Sequence, residues 1–290
     1  MYIINKYYNK PYWKWIYKDI KYIIRSWILY YKNNRKNKTV LFYPEYPKRM
    51  NLLHQIFKSL DFNITNNPNL SFQYGVKCFD TTIDYGTSSE ILQELSKNYL
   101  IINKGSVDIS KKTVDKVFFE VFKYSSLVNP LSYEGRFIRK SNQNATHDGV
   151  IFDKPISSVD DRFIYQRLIN NAYDNNTSIE MRVPVIKGYI PFIYYKYKPI
   201  NDRLGWKILN AEIVDTDKAL TSEEQEKIVL FCKKMMLDFT ELYILRDIDS
   251  QKIYITDANS NPTGPPKFVA RKEALQKLAQ AFNKYMLLRS

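Results

Sequence analysis

The chain predicts an α+β protein with a helical N-terminal arm, and three observations carry that reading. Apolar residues recur at three- and four-residue steps over residues 12–31, the spacing of one helix face. Strand and helix patterns then alternate from Thr39 to Asn103, the texture of a small α/β unit. From Tyr133 onward, short strand patterns separated by turn residues predict two antiparallel β-rich layers with flanking helices.

In the arm, Trp13, Ile16, Tyr17, Ile20, Ile23, Ile24, Trp27 and Tyr31 share one face, and Lys14, Lys18, Lys21, Arg25 and Lys32 form a basic stripe. Asn33–Lys38 reads as a linker. Thr39–Tyr43 is a strand ended by Pro44 and Pro47, Leu52–Leu60 a helix, Asp61–Leu70 a loop, Ser89–Asn98 a helix and Leu100–Asn103 a strand. Ser110–Phe122 is a helix with Ser110 as N-cap. Strands follow at Gly135–Lys140, Gly149–Asp153, Phe163–Ile169, Ile179–Ile186 and Tyr189–Tyr197, the last two joined by a Lys187-Gly188 turn. Ser222–Leu237 is a long helix, Glu241–Arg246 and Lys252–Asp257 a hairpin, and Arg271–Leu288 an amphipathic helix. The resulting organisation is an arm (1–38), an α/β unit (39–107) and a main domain (108–290).

Composition narrows the function. With 44% hydrophobic and 26% charged residues the chain is neither disordered nor fibrous. Cys78, Cys232, His54 and His147 are the only cysteines and histidines, which excludes a disulfide scaffold, a four-cysteine zinc site and a multi-histidine centre. Any metal is therefore expected on oxygen, and the cysteine usage suits a cytoplasmic protein. Residues 1–38 hold ten basic residues and one acid, so they carry +9 of the formal +14. A globally basic nucleic-acid cleft would spread that charge, and nucleic acid is not an expected partner. The arm's longest uncharged run, Ser26–Tyr31, is far short of the ~20 residues of a spanning helix. A basic stripe beside Trp, Tyr and Ile suits the anionic inner face of a membrane; packing of the apolar face on the body or on a partner is the other, slightly favoured reading.

Three local patterns offer chemistry. Asp257, Asn259 and Asn261 alternate at a strand end, so their oxygens share a face and suit Mg2+; Glu241 and Tyr243 share a face of the preceding strand. A strand that simply ends in an Asx turn has the same pattern. Lys140 roots the polar loop Ser141–Asp148, which offers N–H groups and hydroxyls to phosphate; His147 in it is a candidate general base or a structural histidine. Glu180 and Arg182 share a strand face, fit for ribose and for phosphate or carboxylate, or for a plain salt bridge.

In order, these pieces resemble the ATP-grasp superfamily, and within it a set of bacterial proteins of poorly defined activity. The matching residues are Lys140-Ser141, Asn144-Ala145, His147-Asp148-Gly149, Tyr165-Gln166, Arg182-Val183-Pro184, Lys196, Arg203, Asp238, Glu241-Leu242, Arg246-Asp247 and Asp257-Ala258-Asn259, within residues 108–268. The resemblance implies two α+β subdomains clasping ATP, with loop 141–149 closing over the phosphates. It implies Lys111, Lys140, Ser141 and Asn144 on the phosphates, and Gln166, Arg167, Leu168 and Ile169 as the adenine connector. Glu180 and Lys196 would also serve the nucleotide, Glu241, Asp257 and Asn259 the Mg2+, and Arg182, His147 and Arg203 the reacting groups. The implied activity is an ATP- and Mg2+-dependent carboxylate–amine ligase working through an acyl phosphate. Alternatives are phosphotransfer to a hydroxyl acceptor, or a weakened ATP-binding module tethered to a membrane or partner.

Two positions depart from the pattern. Tyr243 stands where the family has the acid of its first metal strand, and Arg203-Leu204 stands for its Arg-Phe. Tyrosine does not replace a carboxylate as a hard ligand. Glu241, Glu212 and Asp238 are the candidates to supply the missing charge.

Overall fold

The computed structural model describes Ile24 and residues 27–32, 38–78, 81–86, 89–144, 146 and 148–287 of the chain. The first sheet is parallel, because helices and loops carry the chain back between its strands. It comprises β1 (Thr39–Pro44), β2 (Asn63–Thr65), β3 (Tyr74–Cys78) and β4 (Leu100–Ile102), in the order β2-β1-β3-β4. Central β1 is a continuous apolar run, as a strand covered on both faces must be. Helices α1 (Leu52–Ser59) and α2 (Ser89–Leu95) complete the unit. Asn51 caps α1 by accepting from the His54 N–H at 2.9 Å.

Two elements depart from expectation here. β2 lies inside the stretch read as a loop, and β3 follows it where no strand was expected. A three-residue strand is too short to show a period, and β3 carries Gly75 and Lys77 among its apolar residues.

Helix α3 (Lys111–Phe122) begins after Ser110, whose side chain accepts from the Thr113 N–H as an N-cap. A three-stranded antiparallel sheet follows: β5 (Phe137–Ser141), β6 (Val150–Phe152) and β7 (Phe163–Arg167), with β5 central. The largest sheet has five antiparallel strands, β8 (Thr177–Ile186), β9 (Ile193–Pro199), β10 (Asn210–Val214), β11 (Phe239–Arg246) and β12 (Ile253–Asn259), in the order β10-β9-β8-β11-β12. Lys187 and Gly188 turn the chain with φ of 45° and 84°. β9 starts at Ile193 instead of Tyr189, since Pro191 has no N–H to give a ladder. β10 and the short helix α4 (Thr216–Ala219) were not expected at all. Helix α5 (Ser222–Lys234) opens with a full capping box between Thr221 and Glu224. Helix α6 (Arg271–Phe282) and a π turn, Asn283–Leu287, follow β12.

Two cores hold these layers. Met181, Val183, Val185, Leu242, Ile244 and Ala258 on one face of the five-stranded sheet pack on α3 and α5. A second core joins β1 and α1 to α6 and to Ile186, Phe192, Tyr194 and Phe239 at one end of the large sheet. Helix α6 thus packs on the N-terminal unit although it is distant in sequence. The residues after β12 dock on α1, where Gln55 Nε2 donates to the Gly264 carbonyl at 2.8 Å and Leu52 N–H to that of Pro262 at 2.8 Å. Both cysteines are buried.

Most of the expected arm helix lies outside the described residues. Residues 27–32 are helical; Leu29 is buried, Lys32 pairs with Asp61, and Ile24, Trp27, Ile28 and Tyr31 are exposed. No helix among the described residues is long and apolar enough to cross a membrane.

Asn103 ties the N-terminal unit to β11. Its side chain donates to the Phe239 carbonyl at 2.8 Å and accepts from the Phe239 N–H at 2.9 Å, copying a strand pair. Its own N–H reaches Asp238 Oδ2 at 2.8 Å, and its φ of 59° is one that Asn tolerates. Asn103→Ala should therefore cost about 2–4 kcal/mol, since two buried backbone groups lose their partners. A urea denaturation midpoint unchanged from wild type would refute this clamp.

Candidate active site

Strand alternation sets the site. Because Met181, Val183, Leu242 and Ala258 face the core, their neighbours face the other way. That opposite face carries Glu180 and Arg182 on β8, Lys196 and Lys198 on β9, Glu241 and Tyr243 on β11, and Asp257 and Asn259 on β12. Register aligns them: Lys196 lies opposite Glu180, Arg182 opposite Tyr243, Tyr243 opposite Asp257, and Glu241 opposite Asn259.

The acids on this face are largely engaged. Lys196 Nζ lies 2.5 Å from Glu180 Oε1 and Lys198 Nζ 3.9 Å from Oε2. Burial opposes the Glu180 charge, but the two lysines outweigh it and hold the carboxyl below its usual range. Arg182 Nη2 sits 2.7 Å from Glu241 Oε1, with Glu241 wholly enclosed. This contact is a charge pair without hydrogen-bond alignment, and both Glu241 oxygens, Arg182 Nε and the Tyr194 hydroxyl lack a hydrogen bond. Burial pushes the Glu241 carboxyl up despite Arg182 and Lys196. Arg182 Nη2 also donates to the Tyr243 hydroxyl, and its guanidinium stands 4.6 Å from that ring's centroid.

Lys140, Lys111 and Asp257 converge from three elements. Burial, then Lys111, pull the Lys140 ammonium down to about 8, against Asp257 and Glu180. Burial also lowers Lys111, with Asp257 and Asp148 opposing. Asp257 is pushed up to about 6 by burial, which Lys111 and Lys140 only partly offset. Lys140 Nζ donates to Gln166 Oε1 at 3.3 Å; Gln166 Nε2 donates in turn to Ser126 Oγ at 2.8 Å, and Ser126 Oγ to Asp115 Oδ1 at 2.6 Å.

The loop after β5 lies against this cluster. Lys111 Nζ donates to the Gln143 carbonyl at 2.5 Å and to Asn144 Oδ1 at 3.4 Å. Asn144 Nδ2 reaches the carbonyls of Ile109 at 3.2 Å and Ala258 at 3.3 Å, so the loop touches β12 itself. Ser141 N–H and Thr146 Oγ1 both donate to Asp148 Oδ1 at 3.0 Å. His147 and Ala145 lie outside the described residues. A cleft of about 580 Å³, counting space open to solvent, lies behind Lys140; Gln166 to Ile169, Glu180 and Lys198 line it.

No family model matches the chain, and no curated protein matches it in sequence. Its fold does match solved structures. D-alanine–D-alanine ligase from Bacillus anthracis complexed with ATP aligns at 11% identity over 87% of this chain and 97% of that one, with a TM-score of 0.53. VanG D-Ala:D-Ser ligase from Enterococcus faecalis aligns at 11% identity over 85% and 100%, TM-score 0.53. The ATP-grasp ligase PsnB, complexed with precursor peptide PsnA2 and AMPPNP, aligns at 11% identity over 86% and 97%, TM-score 0.51. The chain has the ATP-grasp fold.

Within that fold the expected site residues fall into two groups. Lys111, Lys140, Asn144, Gln166, Glu180, Lys196, Arg182, Glu241, Asp257 and Asn259 meet at one face or in one ion-pair network. Arg203 lies at the cleft margin with its guanidinium on the carbonyls of Ile169 at 3.2 Å and Ile200 at 3.1 Å. Arg167 turns toward Tyr254, whose hydroxyl is 3.2 Å from its Nη1. Of the three acids considered for the missing charge, Glu212 accepts from Tyr197 OH at 2.5 Å and Asp238 serves Asn103. Glu241 shares the face, but Arg182 neutralises it.

For a divalent ion, Asp257 and Asn259 fit as donors. Asp257 forms no ion pair among the described residues and accepts only from the Ala258 N–H, at 3.0 Å. Asn259 Oδ1 accepts from the Asn261 N–H at 2.9 Å, the expected Asx turn, and keeps a lone pair. No group of three His, Cys, Asp or Glu side chains among the described residues could hold an ion. The reading missed Lys198, Tyr194 and the Asp115–Ser126–Gln166 relay. Alternation from Lys196 would have found the first two; the relay spans three elements and leaves no local signal.

The Arg182–Glu241 pair gives a stability test. Glu241→Ala strands a buried guanidinium and should cost about 3–5 kcal/mol, whereas replacing both residues by Met should recover most of that. Chemical denaturation of the two single variants and the double variant checks it; additive losses would contradict a direct pair.

Proposed function

We propose that the chain is an ATP- and Mg2+-dependent ligase that joins a carboxylate to an amine or another nucleophile. The supporting observation is the approach of Lys111, Lys140 and Asp257 from three elements, with Lys140 also lining a cleft walled by the connector Gln166–Ile169. In this reading adenine lies along Gln166–Ile169, with Arg167 and Leu168 contributing backbone, and Glu180 takes the ribose hydroxyls while Lys196 holds it ionised. Lys111 and Lys140 bind phosphate oxygens, and Ser141 and Asn144 bring the loop over them. Asp257 and Asn259 hold Mg2+, which neutralises phosphate oxygens and keeps its remaining sites for water and substrate. Arg182 and Arg203 serve the acceptor side, His147 is a candidate base there, and unit 39–107 borders the acceptor site.

The chemistry balances in two steps. A carboxylate oxygen attacks the γ-phosphorus, the bond to the β-bridging oxygen breaks, and ADP departs with that electron pair. The amine then attacks the acyl carbon and loses a proton, and phosphate leaves. The lysines offset charge as it moves toward ADP, and the closed loop keeps water from the acyl phosphate.

Lys140→Ala should weaken binding of an ATP analogue at least tenfold by calorimetry, and unchanged affinity would move the phosphate site elsewhere. ADP release with pooled carboxylate and amine acceptors, plus hydroxylamine to trap acyl phosphate as hydroxamate, tests the chemistry. Phosphate found on a hydroxyl, with no amide or hydroxamate, would identify a phosphotransferase.

The arm supports a second, separable role. Ile24, Trp27, Ile28 and Tyr31 lie one turn apart and are exposed, within a segment of strong positive charge. Such a face enters the headgroup region of an anionic bilayer and gains from both apolar burial and charge. The full chain should sediment with phosphatidylglycerol vesicles at low salt, and Trp27→Asp with Tyr31→Asp should abolish this while leaving ATP binding intact. Sedimentation unaffected by the two changes would argue against this surface.

A further inference from the structure

The polar face of the large sheet holds more cations than uncommitted acids. Arg182, Lys196 and Lys198 stand there with Glu180, Glu241 and Asp257, and Lys111 and Lys140 approach from α3 and β5, with Asp148 near Lys111 and Asp202 near Lys198 at the margin. Glu180 is shared by two lysines and Glu241 is taken by Arg182, so Asp257 is the carboxylate left for an ion. Two Mg2+ ions in one phosphate site need hard anionic ligands for each.

Tyr243 occupies the position between these groups. It lies opposite Asp257 on one side and opposite Arg182 on the other. Its hydroxyl accepts from Arg182 Nη2, and Lys196 Nζ stands 5.8 Å from its ring centroid. A phenol that accepts from an arginine still has its own proton to donate. The pair therefore presents a fixed positive charge and an O–H donor beside Asp257.

We propose that this site takes one divalent cation with its nucleotide, and that the Arg182–Tyr243 pair acts where a second ion would sit, Tyr243 donating to a phosphate oxygen. The inference rests on the nucleotide reading above. Arginine bound to a ring cannot exchange with solvent ions, so half of the metal's work is built into the sheet. The fixed cation carries one charge instead of two, and Lys111 and Lys140 beside Asp257 add to it.

The test counts ions directly. Mn2+ is titrated into the full chain saturated with AMPPNP, and free Mn2+ is read by electron paramagnetic resonance. One bound Mn2+ per chain is expected. Tyr243→Phe, which conserves the ring over which Arg182 packs, should still fold by circular dichroism and bind one Mn2+ but lower AMPPNP affinity about tenfold. Two Mn2+ ions in wild type would overturn the inference and leave the nucleotide reading standing. Unaltered AMPPNP affinity in Tyr243→Phe would overturn the donor role. A chain that binds no AMPPNP at any Mn2+ concentration would instead overturn the nucleotide reading, and the ion count with it.

Discussion

Alternation along β8, β9, β11 and β12 puts apolar and ionisable residues on opposite faces of one sheet, and the site depends on that constraint. Each residue that anchors the first core has neighbours forced to the far side: Met181 and Val183 flank Arg182, and Leu242 sits between Glu241 and Tyr243. A slip of one residue in any pairing would send the charges into the core and Leu242 into the cleft. The helices α3 and α5 that seal the apolar face therefore fix the polar face as well, and α3 also brings Lys111 to it from its first turn.

Burying so many charges is costly, and the pairings show how the cost is contained. Glu180 keeps its charge because two lysines lie against it, and Glu241 is held by a single arginine in a pocket that offers it no hydrogen bond. Such pairs contribute little net stability compared with apolar packing, so their persistence points to a use other than holding the fold. What they leave behind is a fixed positive excess in a partly enclosed place. Donors already oriented there lose little to reorganisation when a polyanion arrives.

The sequence made the local features legible and left the long-range ones dark. Ser110 as N-cap, the Lys187-Gly188 turn, the starts of α1 and α5 and the Asn259 turn all follow from chemistry within a few residues of each other, whereas α5 stops at Lys234, three residues before the expected Leu237. β2 and β10 escaped because short strands at a sheet edge carry too few side chains to reveal a period. The site was legible as a set of residue types in order. Its electrostatics were not, because the partner of Glu241 lies three strands back in the chain as Arg182 and only register brings them together. Local spacing made Glu241 look like a free carboxylate beside Asn259; tertiary pairing spends it. Arg203 shows the same limit, since its partners are two backbone carbonyls and Asn171 Oδ1, which no motif records.

The two halves of the cleft are held with unequal firmness. Asp257, Asn259 and Glu180 stand on a sheet that belongs to both large cores. The sheet β6-β5-β7 contributes to neither: its own packing is the small cluster of Phe137 with Phe152, 5.3 Å between centroids, and with Tyr165 at 6.2 Å. It is tethered through the Arg167 N–H to the Ser126 carbonyl at 2.8 Å, the Val128 N–H to that of Tyr165 at 3.0 Å, and the Gln166–Ser126–Asp115 relay. The loop after β5 is tied as well, by the Lys111 N–H to the Asn142 carbonyl at 3.2 Å and the Lys112 N–H to Asn142 Oδ1 at 2.9 Å, so hydrogen bonds more than core packing hold this sheet in place. Lys140 and the connector ride on the looser half and Asp257 on the firmer one. The Lys140–Asp257 approach therefore spans the two halves, and Asn144, in the loop that follows Lys140, bridges them as well through its bond to the Ala258 carbonyl.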